Sequence, residues 1–337
     1  MKAEKKAWCE GTRVKLSDAL PLKTPLSISF EASSFCNLKC NYCVHGIEDK
    51  NLVKRLLDLD YFKDSVDSLT RFPNRIKNIL FALNGEPLIN SQLPQMIKYI
   101  KQKDVADNVT VFTNAVLLTP EFGKKLIDAG LDLLRVSIQG ISDKNYKNVC
   151  GVSNIFDKII SNLTAFYNYK RQCRVFIKIV DKGLNGPEDK SKFYQIFGDI
   201  CDEISIETVV PIRLEVDYQD ICESGSKNML GQKVMSSDVC AQPFYSMYVH
   251  SNNNVTPCCL ASSQDLIIGN IQSDSLFDIW NSLNLWDIRK MQLKKERYFN
   301  PICKSCNGPL YASQNNDNID DSADRILEIM SKRKIYE

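Results

Sequence analysis

Between residues 25 and 215 two kinds of pattern alternate along the chain. Leu26-Ser27-Ile28-Ser29-Phe30-Glu31-Ala32 steps between apolar and polar with the period of a strand. Aliphatic and β-branched runs recur from Ile79 to Leu83, Val109 to Phe112, Leu133 to Ile138, Val175 to Val180 and Ile204 to Val210. Stretches with apolar residues at helical spacing lie between them, from Leu93 to Lys103, Pro120 to Ala129 and Ile155 to Lys170. Six strands separated by helices predict an α/β protein with a parallel sheet, most simply an incomplete barrel. After Pro211 the pattern breaks into short β-like pieces, loops and clustered cysteines. Residues 312–323 are polar and linker-like, and Asp324 to Lys334 predicts a short amphipathic helix. The expected units are an N-terminal extension (1–24), the barrel (25–215), a small cysteine-rich domain (216–311) and a linker with its helix (312–337).

At 337 residues the chain is long enough for a sizeable core. A net charge of +2 gives no electrostatic case for nucleic acid as the main partner. The first residues, Met1 to Trp8, are charged and lack an apolar signal core. Nowhere do about 18 apolar residues run together, so no membrane partner is expected and the cytoplasm is the expected compartment. In that reducing setting the 13 cysteines point to metal sites and buried thiols rather than disulfides.

The cysteines carry the most specific chemistry. Cys36, Cys40 and Cys43, in Ser34-Phe35-Cys36-Asn37-Leu38-Lys39-Cys40-Asn41-Tyr42-Cys43, can each hold one iron of a [4Fe–4S] cluster. The fourth iron is then left without a protein ligand. A zinc site awaiting a distant fourth ligand uses the same residues. Their place on the loop leaving the first strand is where α/β barrels carry active sites. Asn84-Gly85-Glu86-Pro87 follows the second strand, Thr113-Asn114-Ala115 the third and Ser137-Ile138-Gln139-Gly140 the fourth. Each is also a plain turn signal when read alone. Lys178 and Glu207 are polar residues inside β-branched runs, so they face a cavity or bear a desolvation cost. Further on, Cys240, Cys258 and the pair Cys303-Lys304-Ser305-Cys306 make four soft ligands, enough for an iron–sulfur cluster or a structural zinc.

In their order along the chain these features resemble the radical S-adenosylmethionine (radical SAM) superfamily with a C-terminal SPASM/Twitch extension. Asn254-Val255-Thr256-Pro257-Cys258-Cys259, Gly269-Asn270-Ile271 and Leu276 to Asn281 add to the likeness. The resemblance implies a six-unit partial barrel, with SAM on the open iron of the Cys36, Cys40 and Cys43 cluster. It implies that Tyr42, Gly85, Glu86, Pro87, Asn114 and Ser137 position SAM, and that Cys240, Cys258, Cys303 and Cys306 hold an auxiliary [4Fe–4S] cluster. The single four-cysteine set matches the shorter Twitch form. Asn84 departs from the family's Gly-Gly-Glu-Pro.

Twitch-bearing relatives include an aminocyclitol dehydrogenase and an aminoglycoside epimerase. The implied activity is therefore hydrogen abstraction from a small hydroxylated substrate, sugar- or aminocyclitol-like, leading to dehydrogenation or epimerisation. A flavodoxin or ferredoxin would supply electrons. Two other readings stand beside it: a peptide or protein maturase, and a non-catalytic iron–sulfur or zinc module. Cys259 is a candidate hydrogen donor to a substrate radical, against a packing role or ligation in place of Cys258, and Arg213 a candidate to bind or deprotonate substrate, against a surface salt bridge. His45 follows the triad closely and reads equally as a contact of the cluster's surroundings or as a satisfied loop histidine. Cys9, Cys150, Cys173, Cys201 and Cys222 have no partner at metal spacing and read as inert thiols.

Overall fold

A computed structural model describes residues 1–8, 14–47, 54–213, 215–219, 221, 227–260 and 266–332. Cys9, Cys222 and the end of the predicted C-terminal helix lie outside these residues. Ten strands form one sheet: β1 (Glu4–Lys5), β2 (Ser27–Phe30), β3 (Ile76–Phe81), β4 (Ala106–Thr113), β5 (Leu133–Ile138), β6 (Arg174–Val180), β7 (Glu203–Glu207), β8 (Ser246–Val249), β9 (Asn254–Thr256) and β10 (Gly269–Asn270). Their order is β1-β7-β6-β5-β4-β3-β2-β8-β9-β10. β2 to β7 run parallel and pair in sequence. This is the predicted six-stranded partial barrel, with helices in its crossovers.

The crossover helices begin where capping side chains take up free backbone N–H groups. Asp58 caps Leu59–Ser68, Thr119 with Pro120 opens Pro120–Asp128, and Ser142 caps Asp143–Cys150. β5 and β6 are nearly continuous apolar runs because helices on one face and the lumen contents on the other both cover them. A large apolar core runs through this part, and Phe30, Phe62 and Phe81 pack against one another within it.

Two segments differ from the sequence-based expectation. The N-terminal stretch is built into the barrel: β1 pairs parallel with β7, and Trp8 packs edge-on to Phe112 and Phe176 at centroid distances of 5.6 and 5.4 Å. The linker-like stretch after Tyr311 is docked rather than free. Ile319 is buried with Leu16, Leu20 and Ile326 in a second apolar cluster, and Asp320 accepts the N–H groups of Asp238 and Val239. The cysteine-rich region also continues the barrel sheet, because β8 pairs parallel with β2. Among the described residues no helix is long and apolar enough to cross a membrane.

Candidate iron–sulfur and SAM site

All the barrel motifs lie at the carboxyl ends of the parallel strands. The loop after β2 holds Cys36, Cys40 and Cys43 in a closed turn, with Cys43 N–H donating to Cys40 O over 3.0 Å and Gly46 N–H to Cys43 O over 2.8 Å. A Cβ at position 46 would stand 2.1 Å from Cys40 O, so the turn needs its glycine. The end of the Asp143–Cys150 helix braces the loop: Asn41 N–H donates to Val149 O over 2.9 Å and Lys39 N–H to Cys150 O over 3.3 Å. This brings Cys150 Sγ to 3.4 Å from Cys40 Sγ. Cys150 is buried as expected, but it adjoins a predicted iron ligand, a placement that spacing along the chain could not reveal.

The segment after β3 is pressed against the same loop. A Cβ on Gly85 would lie 2.0 Å from Ser33 O and 2.7 Å from Phe35 O, and Glu86 N–H donates to Phe35 O over 2.8 Å. Pro87 opens the turn Pro87–Ile89, which Glu86 caps. The buried Glu86 carboxylate accepts from Leu88 N–H (3.1 Å), Thr113 Oγ1 (2.8 Å) and Asn114 N–H (2.7 Å). Burial pushes its pKa up to about 7, against the pull of those three donors. Asn114 in turn donates from Nδ2 to Asn37 Oδ1 over 2.8 Å and accepts Val116 N–H on Oδ1. Glu86 and Asn114 thus lash the ends of β3 and β4 to the cysteine loop.

Tyr42 and Ser137 flank the barrel mouth. The Tyr42 hydroxyl donates to Gln139 Oε1, and burial raises its pKa. Ser137 stands opposite Lys178 in the β5–β6 register. Lys178 pairs with Glu207 at 3.4 Å, and Glu207 also pairs with Arg135. Burial opposes the charge on Glu207, yet Arg135 and Lys178 together hold its pKa below the ordinary value. Both polar strand residues are thus held as paired charges, and burial acts against the charge on each.

Asn84 joins four elements. Its N–H donates to Glu31 Oε1 (3.2 Å), its carbonyl accepts from His45 Nε2 (2.5 Å), and its Oδ1 accepts from Arg213 Nη2 (3.2 Å). Burial lowers the pKa of His45, and its carbonyl partner calls for a proton on Nε2. The second oxygen of Glu31 takes Ser251 N–H (3.0 Å) and Ser251 Oγ (2.8 Å) from the turn after β8. One buried carboxylate thereby couples the barrel mouth to the cysteine-rich region. Among the described residues Arg213 Nη1 is buried without a hydrogen-bond partner.

The second cysteine set also converges. Cys240, Cys258, Cys303 and Cys306 line one apolar cavity with about 700 Å³ of empty space, part of it open to solvent, and Cys259 lines it too. Asn300 and Pro301 start the short Pro301–Ser305 helix that presents Cys303, Asn300 accepting from the N–H groups of Ile302 and Cys303. Cys258 and Cys259 leave β9 through Pro257.

Burial pushes the Cys36 and Cys240 pKa values up to about 12 and Cys303 to about 11, and raises Cys43 and Cys258. The bond to Cys150, and then burial, raise Cys40. Metal binding would convert such neutral thiols to thiolates. Among the described residues no three His, Cys, Asp or Glu side chains close on a single metal ion. In a [4Fe–4S] cluster each thiolate instead takes its own iron, so the ligands stand apart around the core. Soft donors spread around an apolar space fit that group.

The sequence matches the model of the radical SAM superfamily over residues 30–185 and that of the SPASM iron–sulfur cluster-binding domain over residues 240–307. The chain carries a radical SAM domain followed by a SPASM domain. Its cofactors are accordingly a [4Fe–4S] cluster, SAM and an auxiliary cluster in the SPASM region. A probable GTP 3′,8-cyclase of Methanococcus maripaludis is 27% identical over 296 residues, 80% of this chain and 93% of that one. The structure of BtrN in complex with AdoMet and 2-DOIA superposes with a TM-score of 0.54 at 20% identity, covering 87% of this chain and 97% of that one. anSMEcpe with bound AdoMet and Cp18Cys peptide superposes with a TM-score of 0.59 at 17% identity, covering 93% and 98%. These likenesses establish the shared radical SAM fold.

Proposed function

We propose that this radical SAM enzyme acts on a small hydroxylated molecule, carbohydrate- or aminocyclitol-like, and dehydrogenates it. When bound, a [4Fe–4S] cluster with SAM on its open iron supplies hydrogen-atom abstraction from a C–H bond. Cys36, Cys40 and Cys43 are the residues proposed to hold that cluster, and Cys240, Cys258, Cys303 and Cys306 to hold the auxiliary one. Glu86, with Asn114 bound to it, is proposed to face the SAM ammonium. Ser137 and Tyr42 line the mouth beside it.

The observation that carries the substrate reading is the Arg213 Nη1 donor. A buried donor with no partner among the described residues is open to a polar ligand, and Asn84 fixes the other arm of the same guanidinium. A substrate hydroxyl oxygen meets the demand. Because a guanidinium stays protonated, Arg213 is assigned to hold the oxygen and make its proton more acidic, not to remove that proton. BtrN, bound to 2-DOIA, supports this reading by analogy of fold. The peptide-bound anSMEcpe supports the alternative, a peptide maturase, in the same way.

The test is to incubate the reduced, reconstituted enzyme with SAM and deuterated aminocyclitols, sugars and peptides, and to follow deuterium into 5′-deoxyadenosine. Transfer from a hydroxylated carbon of a cyclic polyol, with a ketone product, is the expected result. Transfer from a peptide alone would overturn the small-substrate reading and leave the maturase.

A further inference from the structure

Gln292 lies on the Leu283–Leu293 helix and is 1% exposed. A carboxamide so deeply buried needs partners at both ends, and it has them among the cysteines. Its Oε1 accepts Cys240 N–H over 3.0 Å, and its Nε2 points at Cys303 Sγ over 3.6 Å. One side chain therefore spans the first and third members of the second cysteine set, which lie on separate segments. The backbone supports the same geometry. Gly308 N–H donates to Cys306 Sγ over 3.2 Å, and Arg297 Nη2 donates to the carbonyls of Cys303 and Cys306, each over 2.6 Å.

We propose that Gln292 is a positioning residue for the auxiliary cluster, which fixes Cys240 through its backbone and raises the cluster's reduction potential by an N–H···S bond to Cys303. This rests on the assignment of that cysteine set as the auxiliary ligands. The physical reason is charge. A hydrogen bond to a ligating sulfur withdraws electron density from it and offsets the extra negative charge of the reduced cluster. Backbone N–H groups serve the other sulfurs, as Gly308 does Cys306, whereas Cys303 receives its bond from the Gln292 side chain.

Two substitutions separate the two ends of the side chain. Gln292→Glu keeps an oxygen for Cys240 N–H but places an oxygen where the donor to Cys303 stood. Gln292→Leu removes both bonds. In redox titrations followed by electron paramagnetic resonance, both variants are expected to shift the auxiliary midpoint to lower potential and leave the triad cluster's midpoint in place. An unchanged auxiliary midpoint in both, with two clusters present, overturns the proposal alone. A wild-type protein with only one cluster overturns the cysteine assignment and the proposal with it. Hydrogen exchange on the apoprotein adds a readout without cofactor: the Cys240 amide should be protected in wild type and Gln292→Glu and exposed in Gln292→Leu. Equal protection in all three contradicts the role of Gln292 in holding Cys240.

Discussion

Arg213 and Asn84 meet across the barrel mouth, Nη2 of the guanidinium donating to Oδ1 of the carboxamide over 3.2 Å. Asn84 stands where the family's motif has its first glycine, so this bond belongs to this chain. It fixes the direction in which Nη1, unpartnered among the described residues, points. Asn84→Gly should leave both clusters assembled while raising KM for the hydroxylated substrate about tenfold or more, the scale of a hydrogen bond to a charged group. An unchanged KM would show that Arg213 is held by other contacts.

Glu86 gives a pH signature. Its pKa is raised to about 7, so below that value the carboxyl is protonated in the free protein and must release its proton to pair with an ammonium. SAM should therefore bind more weakly as pH falls below about 7, by up to tenfold per unit, and reach a plateau above it. Glu86→Gln should flatten the profile. It should also destabilise the fold by about 1–3 kcal/mol, because an NH2 group would face one of the three donors. A SAM affinity independent of pH between 5.5 and 8 in the wild type would remove Glu86 from the SAM site.

Glu31 is tested by stability. Its carboxylate accepts from Asn84 and from two donors of Ser251. Glu31→Ala leaves those buried donors unpaired and should cost about 2–4 kcal/mol in denaturant unfolding. A loss under about 0.5 kcal/mol would mean that water or relaxation replaces the carboxylate and that it does not couple the two regions.

Cys259 separates the two outcomes open to a hydroxylated substrate. It lines the auxiliary cavity beside Cys258. Under the dehydrogenase reading Cys259→Ser keeps its iron and continues to form a ketone. Epimerisation would instead need a hydrogen donor: turnover would stop in the variant while SAM cleavage continued, and wild-type product made in deuterated water would carry one deuterium at the inverted carbon.

The barrel was legible because its strands and helices are local patterns. Leu133–Ile138 and Leu93–Lys103 have the bounds that periodicity gives them. The radical SAM and SPASM domains were legible from the spacing and order of the cysteines. β1 was not, since two residues form a strand only by pairing with β7. Residues around Ile319 look like a linker by composition, yet Ile319 and Ala323 pack in the cluster with Leu16 and Leu20 while Asp320 accepts the N–H groups of Asp238 and Val239. Cys150, Glu31 and Gln292 gain their roles from partners far along the chain, 110 residues away for Cys150 and 220 for Glu31 with Ser251. No local pattern encodes such contacts.

Iron content with SAM cleavage tests the central claim most directly. After anaerobic reconstitution the wild-type chain should carry about eight irons, as two [4Fe–4S] clusters, and cleave SAM to 5′-deoxyadenosine. The variant with Cys36, Cys40 and Cys43 replaced by Ala should keep about four irons and lose cleavage. Stoichiometric zinc in the anaerobically purified protein, or cleavage intact in the triple variant, would contradict the account.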